Sequence, residues 1–161
     1  VLAFFTGIVL IFLTSIFLSN RFATAFSLTL SALIPPSVGL IGLGIFGIAL
    51  DVSSFSGLIS VTGIAVANGF MAWVAIEGIS TGKGNYASAV LAGMQSRVRP
   101  ILMTNLAAMA GFIPIAIGLA EGDEILRPFS IAVIIGLFGS MFTTLFVMPA
   151  FFRIFIPNQK V

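Results

Sequence analysis

The chain has 161 residues, of which 59% are hydrophobic and only 7% charged, and its mean hydropathy is +1.22. A soluble domain carries roughly 25% charged residues, so most of this surface cannot face water, and the sequence is that of an all-α integral membrane protein. With no Cys and no His, disulfides, Cys-based zinc sites and the commonest neutral-pH proton carrier are excluded, and a net charge of +2 is too small to suggest nucleic acid.

A helical span needs about 20 mostly apolar residues, and five stretches qualify: about 1–18, 27–50, 54–77, 100–120 and 128–155. Ser19-Asn20-Arg21 and Asp51-Val52-Ser53 separate the first three, a long break runs from about 78 to 99, and Glu121-Gly122-Asp123-Glu124 precedes the last. The whole chain reads as one transmembrane domain. It opens at Val1 inside an apolar run, without Met or the charged start of a signal peptide, and so reads as a piece of a longer polypeptide.

Within the long break, Tyr86, Ala89, Val90, Gly93 and Met94 recur at i, i+3, i+4, i+7 and i+8. That spacing predicts an amphipathic helix over about 85–97, lying flat on the cytoplasmic membrane surface. Pro100 is expected to open the fourth span and to bias Arg99 away from helical geometry. Eleven residues after Tyr86, Arg97 returns almost to the apolar face. The two arginines are therefore expected to be unequal, with Arg97 turned into the bundle and Arg99 turned to water or headgroups.

Charge placement predicts the topology. Counting alternate sides, Arg21, Lys83, Arg97, Arg99, Arg153 and Lys160 share one face, and of the seven Lys and Arg only Arg127 falls on the other, with Asp51, Glu121, Asp123 and Glu124. The Lys/Arg-rich side is expected to be cytoplasmic, with Arg21, Arg99 and Arg153 as anchors and the C-terminus inside.

Inside the spans, Pro35-Pro36 and Pro114 each remove backbone bonds. Small residues form stripes at helical spacing: Ala65, Gly69 and Ala72; Thr104, Ala107, Ala108 and Gly111; Gly136, Ser140 and Thr143. Such stripes let helices approach closely. Thr104 has two readings, a hydroxyl bonded to its own i−4 carbonyl or a member of a proton or water path. Asn68, deep in the third span, is either glue to another helix or a relay group. No carboxylate lies in the middle of any span, although an ionisable group there is the mark of a proton pump. The acids of a proton-driven machine would have to lie elsewhere in the polypeptide. The six methionines show no metal-relay pattern and read as packing. No cofactor or metal site is indicated, and no nucleophile–base constellation suggests an enzyme.

Five segments then occur in a telling order: Gly63-Ile64-Ala65-Val66-Ala67-Asn68-Gly69, the run from Arg97 to Asn105, Gly111-Phe112-Ile113-Pro114, Glu124-Ile125-Leu126-Arg127-Pro128 and Val147-Met148-Pro149-Ala150-Phe151-Phe152. Together they closely resemble the C-terminal membrane half of resistance-nodulation-division (RND) efflux transporters, from about Val1 to Ile156. The resemblance implies the last five of twelve spans in a proton-driven homotrimer of the Gram-negative inner membrane. It also implies work with a periplasmic adaptor and an outer-membrane channel. The relay aspartates would sit in the N-terminal half, and Arg97 and Thr104 match the arginine and threonine that partner them. The multidrug branch carries a lysine where this chain has Ala67, which leaves Asn68 as the nearest polar group. Asn68-Gly69 with Glu124 and Arg127-Pro128 resembles the heavy-metal branch, exporting cobalt, zinc and cadmium, more than the multidrug branch. A different class, a truncated membrane scaffold that transports nothing, would show the same spans without the upstream aspartates.

Overall fold

The computed structural model describes residues 2–20, 22–80, 86–119 and 123–155, and there is no strand among them. Six helices follow in order: α1 (Leu2–Ser19), α2 (Phe22–Ile45), α3 (Val52–Ser80), α4 (Tyr86–Ile117), α5 (Asp123–Phe142) and α6 (Met148–Phe155). A π-helical turn, Thr143–Val147, joins the last two without a break. Four stretches are long and apolar enough to cross a membrane: Phe22–Ile45, Val52–Ile79, Ser88–Ile117 and Glu124–Ile154. The first expected span, about 1–18, coincides with α1, within which Thr6–Ser19 is apolar.

The element bounds move for local reasons. α2 begins five residues before the expected 27 because its hydroxyls do not interrupt it. Ser27, Thr29 and Ser31 donate to the carbonyls of Ala23, Ala25 and Ser27, at 2.8, 2.9 and 2.8 Å, satisfying themselves inside the helix. It ends where Gly47 takes φ +65°, a left-handed conformation that costs glycine nothing. Asp51 caps α3 reciprocally: its Oδ1 accepts the Ser54 N–H at 2.7 Å, and Ser54 Oγ accepts the Asp51 N–H at 2.9 Å.

The larger difference concerns the separate interfacial helix expected over about 85–97. Residues 86–100 and 101–117 form one helix, α4, with Pro100 inside it rather than at its start. Proline there deletes only the bond to the Ser96 carbonyl, and the remaining bonds of a 32-residue helix carry the chain through. Nor does the amphipathic stripe lie open: Ala89, Val90, Gly93 and Met94 are buried. Val90 and Met94 join Leu28, Ala72, Ile76, Met148 and Phe152 in one core cluster. A Cβ added at Gly93 would lie 2.8 Å from Ile76 Cα, so this glycine is what lets α4 cross the α3 backbone. An apolar stripe buries itself equally well in lipid or in protein, and the close approach at Gly93 decided for protein.

α5 is the central helix, packed on α2, α3 and α4. It runs parallel to α3: Ser53 Oγ donates to the Ile125 carbonyl at 2.6 Å, Gly57 lies against Phe129, Gly136 against Val61, and Gly69 against Met148. It runs antiparallel to α2, where Gly42 meets Ile135, Val38 meets Gly139, and Leu28 meets the Gly69–Met148 contact. α4 is antiparallel to both neighbours, stacking Phe112 on Phe129 with ring centroids 5.7 Å apart. A second cluster (Leu43, Leu58, Ala132) and a third (Val61, Val133, Leu137) fill the space around α5.

Candidate functional site on the paired helices α3 and α4

Asn68 and Asn105 meet between α3 and α4, with the Asn68 Nδ2–H donated to Asn105 Oδ1 at 3.4 Å. Asn68 is half-buried, whereas Asn105 is 1% exposed and its own Nδ2 finds no partner among the described residues. A buried donor left unpaired costs about 1–3 kcal/mol. Turning both amides over would reverse the bond and pair that donor, so the couple can be made in two senses. Around it are apolar residues: Ile101, one turn before Asn105, is buried, and Ala108, Met109 and Phe112 of the following turns pack on the Val61–Val133–Leu137 cluster.

Asn105 has no distinctive spacing or motif of its own. The available signal was that two mid-span amides on neighbouring helices each need a partner. Asn68 thus has a partner on a neighbouring helix.

The residues just before the two asparagines look elsewhere. Ala67 and Thr104 are both exposed. Each helical step turns about 100°. Because α3 and α4 run antiparallel, stepping back one residue on each turns to the same side of the pair. Arg97 belongs to that side as well. It precedes Thr104 by seven residues, nearly two full turns, and the unbroken α4 keeps both on one face, about 10.5 Å apart along the axis. Arg97 is half-buried while Arg99 is exposed, and two residues on one helix point about 200° apart. Arg97 is the less exposed of the two, but on a helix that continues through Pro100 it shares the open side with Thr104 instead of turning into the bundle.

Thr104 Oγ1 donates to the carbonyls of Pro100 and Ile101, at 3.0 and 3.2 Å. Its hydroxyl is held on its own helix and has a free lone pair towards the exposed side. The small-residue stripe of α4 shares this openness. Thr104, Ala107 and Gly111 are exposed, and a Cβ at Gly111 would meet nothing within 4 Å. The stripes of α3 and α5 differ. Ala65, Gly69, Ala72, Gly136, Ser140 and Thr143 are all buried, and a Cβ at Gly136 would press Val61 Cγ1 at 2.8 Å. Only 17% of the α4 span is buried, against 39–50% for the other three. Of the residues expected as topology anchors, Arg99 and Arg153 are exposed, and Arg21 lies outside the described residues. Of the methionines, Met94 and Met148 are core while Met71 and Met103 are exposed.

Four apolar spans, three of them packed around the fourth, with one small-residue face left open beside an arginine and a threonine, define an all-helical membrane-protein domain. The chain belongs to the AcrB/AcrD/AcrF family, whose family model matches residues 1–156. It is 37% identical over 116 residues to the cobalt-zinc-cadmium resistance protein CzcA of Cupriavidus metallidurans, covering 72% of this chain and 11% of that protein. With the nickel-cobalt-cadmium resistance protein NccA of Alcaligenes xylosoxydans xylosoxydans it shares 37% over 139 residues, 83% of this chain and 13% of that one. With the nickel and cobalt resistance protein CnrA of Cupriavidus metallidurans it shares 42% over 113 residues, 70% and 10%. The chain thus spans about a tenth of the length of the curated relatives it matches.

Proposed function

We propose that this chain supplies the C-terminal membrane half of a proton-driven RND exporter of heavy-metal cations in the bacterial inner membrane. The observation that carries the reading is the open face of α3 and α4: Ala67, Arg97 and Thr104, the positions matching the family's relay partners, share one side of the helix pair. That face is not covered by the described residues of this chain, and a small-residue stripe continues along it. An N-terminal half bearing the relay aspartates is the expected occupant. Protonation of those acids would change their contacts with the Arg97 guanidinium and the Thr104 hydroxyl, and the helices would shift between two packings. The basic side, with Arg99 and Arg153, would lie in the cytoplasm, and the exporter would assemble as a homotrimer with a periplasmic adaptor and an outer-membrane channel. The names of the relatives, for cobalt, zinc, cadmium and nickel resistance, support divalent cations as the cargo over hydrophobic drugs.

The test is Co2+ transport by the full-length protein in proteoliposomes, driven by an imposed pH gradient. Arg97→Ala is expected to abolish transport with protein amount and assembly unchanged, and Arg99→Ala to reduce it far less. Undiminished transport by Arg97→Ala would remove the relay assignment. Equal losses from both arginines would show that the face of α4 is not what separates them.

A further inference from the structure

We infer that Asn105, with Asn68, is a positioning lock that fixes the rotation of α3 and α4 and so aims the open-face residues Ala67, Arg97 and Thr104 to one side. The inference rests on the RND reading above and adds to it a residue that no relay position accounts for.

The geometry requires something to hold that rotation. α4 touches its neighbours through an apolar stripe, Ile101, Ala108, Met109 and Phe112, and its opposite side is apolar too, with Met103, Leu106, Ile113 and Ile117 exposed. Apart from the close approach at Gly93, a helix apolar on both sides gains little from one rotation over another, because in lipid the hydrophobic term does not distinguish them. Turning α4 by a single residue would carry Thr104 inward and Asn105 out. A buried amide breaks that degeneracy. Moved to lipid, Asn105 loses its partner, and Asn68 loses its acceptor. A single buried asparagine fixes register in coiled coils for the same reason.

Two further observations fit a lock rather than generic glue. The bond ties the residues immediately after Ala67 and Thr104, so a small change in helix rotation is carried directly to those positions. The link is also neutral. Where the multidrug pattern has a lysine, this chain has Ala67, so α3 and α4 are joined through amides that need no proton to bond. Each asparagine acts through its neighbours and is a positioning residue, not a relay group.

The experiment compares wild type, Asn105→Leu, Asn68→Leu, the double variant and Arg97→Ala, all full-length, in proteoliposomes with Co2+ across a range of external pH. Thermal midpoints are measured in detergent. A lock predicts that each single variant loses about tenfold or more in transport and shifts the pH of half-maximal transport, while protein amount and thermal midpoint hold. The double variant should be no worse than the poorer single, because one bond is broken once. Wild-type rates and pH profile in Asn105→Leu would overturn the inference. So would losses that multiply in the double variant, or losses that follow protein amount alone. If Asn105→Leu fails to accumulate, Asn68→Leu, at the half-buried end of the bond, is judged by the same criteria. An inactive Arg97→Ala beside a normal Asn105→Leu removes the lock and leaves the exporter reading intact. A normal Arg97→Ala removes the relay assignment, wild type that moves no Co2+ removes the exporter reading, and either removes the lock with it.

Discussion

Asn68 and Asn105 face each other across α3 and α4 at 3.4 Å, while the residue before each of them, Ala67 and Thr104, is exposed. Two consecutive pairs thus divide labour: one member joins the helices and the other is left for whatever covers the open face. Antiparallel packing puts both outward members on the same side.

The glycines of this bundle are unequal in the same way. A Cβ at Gly93 would sit 2.7–2.9 Å from Ile76 Cγ1, Cα and N, and the backbone of α3 cannot rotate away. Gly93→Ala is expected to cost about 1–3 kcal/mol as overpacking. Gly63, with nothing within 4 Å, should accept alanine at no cost or gain up to about 1 kcal/mol. Thermal midpoints of the two variants in detergent check this; equal shifts would mean that α4 does not cross α3 at Gly93.

Acid should loosen the start of α3. The Ser54 backbone N–H and then its hydroxyl hold the Asp51 carboxyl below its ordinary value. A depressed folded-state pKa stabilises above the unfolded value and is lost as pH falls through the folded one, which puts the window below about pH 4. The difference in thermal midpoint between wild type and Asp51→Asn should therefore shrink as pH drops from 6 to 3. A difference that stays constant over that range would show that the cap does not depend on charge.

The π-turn Thr143–Val147 holds one more residue than an α-helical path would need. Deleting Leu145, half-buried within it, should restore α-helix and leave Met148 and Phe152 facing the core cluster with Leu28 and Ile76. Deleting Ile134, in the regular part of α5, should instead turn everything after it by about 100° and strip both residues from that cluster. Accumulation of folded protein in the membrane separates the two. Comparable loss from both deletions would mean that the extra residue is not absorbed at the turn.

Much of this was legible in the chain itself. Apolar length marked the spans, because backbone in a membrane must satisfy itself within helices. The stripe Tyr86 to Met94 marked a helix, and the spacing of Arg97 and Arg99 marked them as unequal. What covers the stripe was not legible, since periodicity reports that a face is buried and not by what. The break expected at Pro100 failed for a related reason: a local preference worth one hydrogen bond yields to the packing of the whole of α4 on α3 and α5.

Composition and periodicity determined that this protein is a membrane bundle and where most of its helices run along the chain. These are properties of single segments, fixed by hydrophobicity and by the turn per residue. Only the tertiary structure decided that Asn105 goes inward and Thr104 outward, that helix runs unbroken through Pro100 from Arg97 to Thr104, and that α4 has a side the described residues leave bare. Those outcomes depend on how antiparallel helices cross and rotate against one another, a choice made by contacts between residues far apart in sequence, such as Gly93 with Ile76 and Asn68 with Asn105.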